Sequence, residues 1–210
     1  MKKNTALFFL LFFSIVSFGQ TSFAISYGEN ITLGKTEPTT SFTISSPYGT
    51  VSIQGSKIND YKFEKPGDYT IKVFQKKSKS KDNCETNYLP DVIFVKVSRI
   101  RMKFEESKIE FSTPIRKGIE ASGITMNIPI IIATYDHKPI ELNYTLVNSA
   151  GIGTSITATL AKDYKELNEG EHIVSYSLQG KVTENSYLMF DFIDANTKIQ
   201  SVALQSPIQN

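Results

Sequence analysis

Two histidines and one cysteine are the side chains of this 210-residue chain suited to work as a base, a soft metal ligand or a thiolate near neutral pH. His137 lies in the turn Tyr135-Asp136-His137-Lys138-Pro139, and His172 follows the turn Asn168-Glu169-Gly170-Glu171. Two isolated histidines in different loops, with no HExxH or CxxC spacing, make a poor metal site. Cys84 has lysines nearby that would favour its thiolate, but no histidine in its own half of the chain to act as its base. No G-x-S-x-G elbow occurs. Asp191 and Asp194 stand three apart, which on a strand points them to opposite faces, so they are no natural acid/base pair. Asp194-Ala195-Asn196-Thr197 reads as a hairpin turn with too few ligands for a complete calcium site. Gly151-Ile152-Gly153-Thr154 lacks the Lys-Ser/Thr ending of a phosphate loop. These residues predict no enzyme, no cofactor and no metal.

Charge is the denser signal. Between Gln75 and Asn87, Lys76, Lys77, Lys79 and Lys81 crowd together with serines between them and Asp82-Asn83-Cys84-Glu85 after. The plain interpretation is a solvated hairpin loop. The sharper one is a contact loop for an anionic partner, such as an acidic glycan, lipopolysaccharide phosphate or an acidic protein. The segment holds no aromatic ring for base stacking, so nucleic acid is not indicated.

Around that loop the chain is electrically balanced. Lys2 and Lys3 account for the whole formal net charge of +2, because no acid precedes residue 20. These two lysines open an n-region, and Ala6–Phe18 is an apolar run broken only by Ser14 and Ser17. At 13 residues the run is shorter than the roughly 20 needed to span a bilayer. Ser17 and Gly19 have the small-residue spacing of a signal cleavage site, so residues 1–19 are expected to be a signal peptide and the mature chain to begin at Gln20. The expectation is export to the periplasm, the cell surface or the medium, with no integral membrane segment after cleavage. A single cysteine closes no loop within the chain, so stability must come from a core.

The elements that position these residues read as strands. Gly, Pro, Asn or Asp punctuate the mature chain every 8 to 12 residues, and the stretches between are rich in Ile, Val, Thr, Tyr and Phe. Strands are expected at 23–27, 31–33, 41–44, 51–54, 61–63, 69–74 and 92–97, and on through the second half, including one over 140–147. Asp163–Asn168 is the one candidate for a helical turn. Val92-Ile93-Phe94-Val95 is continuously apolar and predicts burial on both faces.

Two stretches share a device. In Lys65-Pro66-Gly67-Asp68-Tyr69-Thr70-Ile71 and in Asn168-Glu169-Gly170-Glu171-His172-Ile173, a turn ends in Gly, an acid follows, then a ring, then a strand. The first stretch, with Tyr61–Val73 and the 91–97 strand, resembles the PKD-like and immunoglobulin-like modules of bacterial secreted proteins, over roughly residues 50 to 98. The resemblance implies a sandwich fold and a corner in which the Tyr69 hydroxyl bonds back to upstream backbone, with His172 in the matching place; it implies no activity. The chain departs from antibody-type domains in having neither a cysteine pair nor any tryptophan. The corner rings lie 103 residues apart, about one sandwich domain. The expected organisation is therefore all-β: a signal peptide (1–19) and two tandem immunoglobulin-like antiparallel sandwiches, 20–98 and 99–210, meeting near Ser98-Arg99.

The function expected from this is a non-catalytic, exported interaction protein whose partner the sequence does not name. A periplasmic pilus-type chaperone is an alternative, set back by the continuous apolar run at 92–95. A carbohydrate-binding module is another, set back by the absence of Trp.

Overall fold

The computed structural model describes residues 21–75, 89–143, 146–184, 187–204 and 208–209. They form an all-β structure of several sheets, with two short 3₁₀ turns. The candidate signal peptide lies outside the described residues. Among the described residues no helix is long and apolar enough to cross a membrane.

The first sheet contains β1 (Thr21–Ser26), β2 (Ser41–Ser46), β3 (Gly49–Gln54), β4 (Gly67–Phe74) and β5 (Val92–Ser98), in the order β1-β5-β4-β2-β3. Neighbours are antiparallel except β1 with β5, which are parallel. Period-two alternation sets the inner face. Tyr69, Ile71 and Val73 of β4 are buried beside Phe42 and Ile44 of β2 and Ile93, Val95 and Val97 of β5.

The apolar run of β5 is not buried on both faces. Phe94 is 40% exposed and Lys96 is exposed, while their neighbours point inward. A sheet that is antiparallel except at β1 needs cover on one face only, and a single apolar side chain on the wet face is ordinary. The expected strands at 31–33 and 61–63 also fail to form. Those segments still cover the core, with Ile31 and Phe63 almost wholly buried beside Ile58 of a 3₁₀ turn. Asn59, in the 3₁₀ turn Gly55–Asp60, takes the place a neighbouring strand would fill. Its Oδ1 accepts from the Leu33 amide at 2.8 Å, and its Nδ2 donates to the Gly34 carbonyl at 3.0 Å. Phe63 exchanges backbone bonds with Gly28 and Glu29. These bonds stand in for part of a ladder.

The second sheet contains β6 (Ile100–Phe104), β7 (Glu110–Phe111), β9 (Thr125–Thr134), β11 (Leu146–Ala150), β12 (Thr157–Leu160), β14 (Gly170–Gln179), β15 (Leu188–Ile193) and β16 (Ile199–Leu204). The order is β16-β15-β11-β12-β14-β9-β6, with β7 also on β9. Two small pairs flank it: β8 (Ile115–Arg116) with β17 (Ile208–Gln209), and β10 (Ile140–Leu142) with β13 (Tyr164–Leu167). The expected helical turn at 163–168 is thus a strand. Leu167 is buried and the Tyr164 hydroxyl accepts from the Ser175 amide at 2.9 Å, so pairing with β10 places both apolar ends of the segment. The expected single strand over 140–147 divides between β10 and β11, which belong to different sheets.

The eight-stranded sheet curls until its ends meet. Phe104 of β6 stacks on Phe192 of β15 at 4.8 Å, and one buried cluster gathers residues from every long strand. The outermost strands, β6 and β16, are bridged by one side chain. Gln200 accepts from the Phe104 amide at 3.2 Å and donates to the Met102 carbonyl at 2.9 Å. A primary amide has the same donor and acceptor as a peptide group, so Gln200 does for this edge what a ladder does elsewhere. Among the described residues no strand of the first sheet pairs with one of the second, and Arg99 alone separates β5 from β6.

Candidate functional site

The corner on β4 begins at Gly67, whose φ of +136° is open to glycine and strained for other residues. This turn delivers Tyr69 into the core, 5% exposed, edge-on to Phe63 at 5.0 Å. Its hydroxyl donates to the Lys65 carbonyl at 2.8 Å. Burial raises the pKa of the phenol, and the neighbouring Tyr61 adds to the effect. The corner on β14 begins at Gly170, with φ +118°, and His172 Nε2 lies 2.8 Å from the Asn168 carbonyl. Both rings therefore reach four residues back to a main-chain oxygen. His172 is only half-buried, and the core of β14 begins with Val174, Tyr176 and Leu178.

The other histidine has a partner that its sequence neighbourhood did not announce. His137 Nδ1 stands 2.7 Å from Glu169 Oε2, and the other Glu169 oxygen accepts from the Thr134 amide at 2.7 Å. The hydrogen bond and charge of Glu169 raise the His137 pKa, and His137 lowers that of Glu169 in return. The pair is exposed and pins one turn to another. Among the described residues no group of three or more His, Cys, Asp or Glu side chains is arranged to hold a metal ion.

Asp194 organises the hairpin 194–198. It is 4% exposed, and its carboxylate accepts from the amides of Asn196 and Lys198 at 2.8 and 2.9 Å and from Gln200 Nε2 at 3.3 Å. Asp191 faces outward and accepts from the Ser201 hydroxyl. The hairpin also clasps the first sheet to the second. Asn196 donates to the Ile100 carbonyl at 2.9 Å and to Ser26 Oγ at 3.3 Å, and Ser98 Oγ donates to its Oδ1. Lys198 pairs with Glu29 at 3.0 Å, and Arg101 lies over the Tyr27 ring at 5.3 Å. Arg99 pairs with Asp136 at 2.7 Å. Burial lifts the Asp136 pKa, but the hydrogen bonds from Arg99 and the Lys138 amide outweigh it and leave the group below its ordinary value.

Lys76, Lys77, Lys79, Lys81 and Cys84 lie outside the described residues. A groove of about 440 Å³ at the ends of β4 and β5 is lined by Phe74, Leu89 and Asp91, and Phe74 is 55% exposed.

The surface that sequence reasoning missed is the free edge of the first sheet. β3 pairs with β2 on one side and with no described strand on the other. Its sequence, Gly-Thr-Val-Ser-Ile-Gln, has no charge and no proline, and its register with β2 runs from Gly49 to Gln54 without a shift. Natural sheets commonly blunt such an edge with Lys, Pro or a bulge. Val51 is 45% exposed and Tyr48, at the hairpin tip, 54%. Tyr48 donates to the Pro66 carbonyl at 2.9 Å and lies under Lys65, so the tip is strapped to the Tyr69 corner. A second groove, of about 380 Å³, runs between this hairpin and residues 61–65. Val51–Gln54 was readable as a strand; its place at the edge was not. A scan against protein-family models finds no match for the chain, and a search of curated proteins finds none either.

Proposed function

We propose that the protein is an exported, non-catalytic interaction module of two tandem immunoglobulin-like sandwiches, residues 20–98 and 99–210 behind a signal peptide at 1–19, and that it holds its partner along β3. The observation that carries this reading is the open, uncharged, in-register edge of β3 beside the Tyr48 groove. An unpaired strand edge offers a row of main-chain donors and acceptors, and an extended segment can add to it as a further strand. The contrast with the second sheet supports it, since there Gln200 joins the two outermost strands. β5, the last strand of the first sheet, is flanked by β1 and β4, so it has no edge to lend to a pilus subunit.

Photo-cross-linking in the cells that export the protein tests this reading. A benzoylphenylalanine replaces Thr50, Phe74 or Ile173 in turn, Ile173 serving as an exposed control on the second sheet. Adducts at Thr50 and none at Ile173 are expected. Adducts at Phe74 alone would move the contact to the lysine-rich loop end and overturn the edge reading.

A further inference from the structure

We infer that the strand added to β3 is β3 of a second copy, antiparallel about a two-fold axis at Ser52, so that two five-stranded sheets become one. This rests on the reading of β3 as the contact edge and adds the identity of the partner.

The parity of the ladder comes first. Gly55 donates to the Thr40 carbonyl at 2.9 Å, continuing the β2–β3 pairing. In an antiparallel ladder bonded residues recur every second position, so Gly49, Val51 and Ile53 turn their main-chain groups toward β2. Thr50, Ser52 and Gln54 turn theirs outward, to the open side.

Self-complementarity comes next. With Ser52 opposite itself, Thr50 falls opposite Gln54 and Val51 opposite Ile53 on both sides of the axis. Ser52 with Ser52 and Thr50 with Gln54 are then the bonded pairs, each exchanging two N–H···O bonds. Moving the axis to Val51 sets Gln54 opposite Tyr48 in the turn and loses its bonded pairing, and moving it to Thr50 shortens the overlap, because the turn at Pro47-Tyr48 ends the strand. The β-branched Val51 and Ile53 meet across the new seam on one face, and hydroxyl and amide side chains meet on the other. A two-fold pair sets like against like near its axis, which penalises any charged strand. β3 carries no charge, so its pattern complements itself with no repulsion to overcome.

The outer strands of the second large sheet and the far edge of the first do not offer this. β6 carries Arg101 and Lys103 and is bridged to β16 through Gln200. β1 runs into the junction at Ser26, which is 2% exposed. A seam of Thr50–Gln54 on each strand is small beside the roughly 1,200 Å² of standard interfaces. Association on the order of micromolar to millimolar is therefore expected, in reach of a protein concentrated at a surface.

Sedimentation equilibrium of the mature chain from about 1 µM to 1 mM should show a monomer–dimer equilibrium. Ser52→Pro removes one outward amide and no bond to β2, so it should weaken dimerisation at least tenfold while the unfolding midpoint holds. If Ser52→Pro impairs folding, Ser52→Lys carries the same test by placing two cations on the axis. In a Cys84→Ser background, Ser52→Cys should cross-link to itself with a short bismaleimide, because bonded pairs lie about 5.5 Å apart at Cα. Thr50→Cys alone should not, but mixed with Gln54→Cys it should. A monomer throughout, a dimer indifferent to both Ser52 variants, or a Ser52→Cys chain that stays unlinked overturns the two-fold pairing. A monomer whose Thr50 probe still captures a different protein overturns the self-pairing and leaves the contact edge standing. No adduct of any kind at Thr50 overturns both.

Discussion

The corners at Tyr69 and His172 are the same local device set at different depths. Each follows a glycine in left-handed backbone, and each ring reaches the carbonyl four residues back. Tyr69 does so from within the core, against Phe63 and Tyr61, whereas His172 does so from the rim. The turn geometry is therefore set by glycine and a ring heteroatom, and the energetic weight by what surrounds the ring. The sheets that these corners begin differ in the same spirit. The eight-stranded sheet curls and joins its ends through Gln200, whereas in the five-stranded sheet β3 has no second partner among the described residues.

The largest test of this contrast is Tyr69→Ala. Loss of a buried ring against Phe63 should cost about 3 kcal/mol or more, read from chemical unfolding. His172→Ala should cost far less, and an equal cost would show that depth does not separate the corners. Removal of Gln200 comes next. Gln200→Leu leaves the Phe104 amide and the Met102 carbonyl without their bridge and should cost about 1–3 kcal/mol, with faster exchange of the Phe104 amide. Unchanged exchange there would mean that the ends of the sheet are held without it.

Tyr69→Phe keeps the ring and deletes one bond, leaving the Lys65 carbonyl unpaired. About 1–2 kcal/mol is expected from the unfolding midpoint. His172→Phe removes the matching bond where water can replace it, and should fall under about 1 kcal/mol.

The smallest effect is the pH dependence of the His137–Glu169 pair. Glu169 raises the His137 pKa, so its contribution is complete below the unfolded value of about 6.5 and fades as pH rises through the folded value. Glu169, lowered by His137, contributes above its own unfolded value of about 4.3 and loses that as pH falls through its folded value. The pair works best between those limits. NMR titration of His137 should show its pKa fall in Glu169→Gln, and no change would mean that the contact does not hold in solution.

Sequence alone determined what local chemistry determines. Alternating Val, Ile and Tyr between turn residues marked strands such as β4, and Gly67 and Gly170 marked the corners, because backbone freedom and side-chain parity act over a few residues. Asp194-Ala195-Asn196-Thr197 was legible as a turn for the same reason. Tertiary structure decided whatever depends on a distant neighbour. Apolar residues 31–33 and 61–63 predicted strands, yet the Asn59 side chain and the main chain at 28–29 took up their hydrogen bonds. Asp163–Asn168 had the look of a helical turn until β10 supplied a partner for Tyr164–Leu167. Phe94 was placed inside by its apolar neighbours and outside by the pleat. The candidate contact edge depended on pairing most of all. Val51–Gln54 reads as a strand from its own residues, but that one of its sides has no described partner follows only from which strands the rest of the chain places beside it.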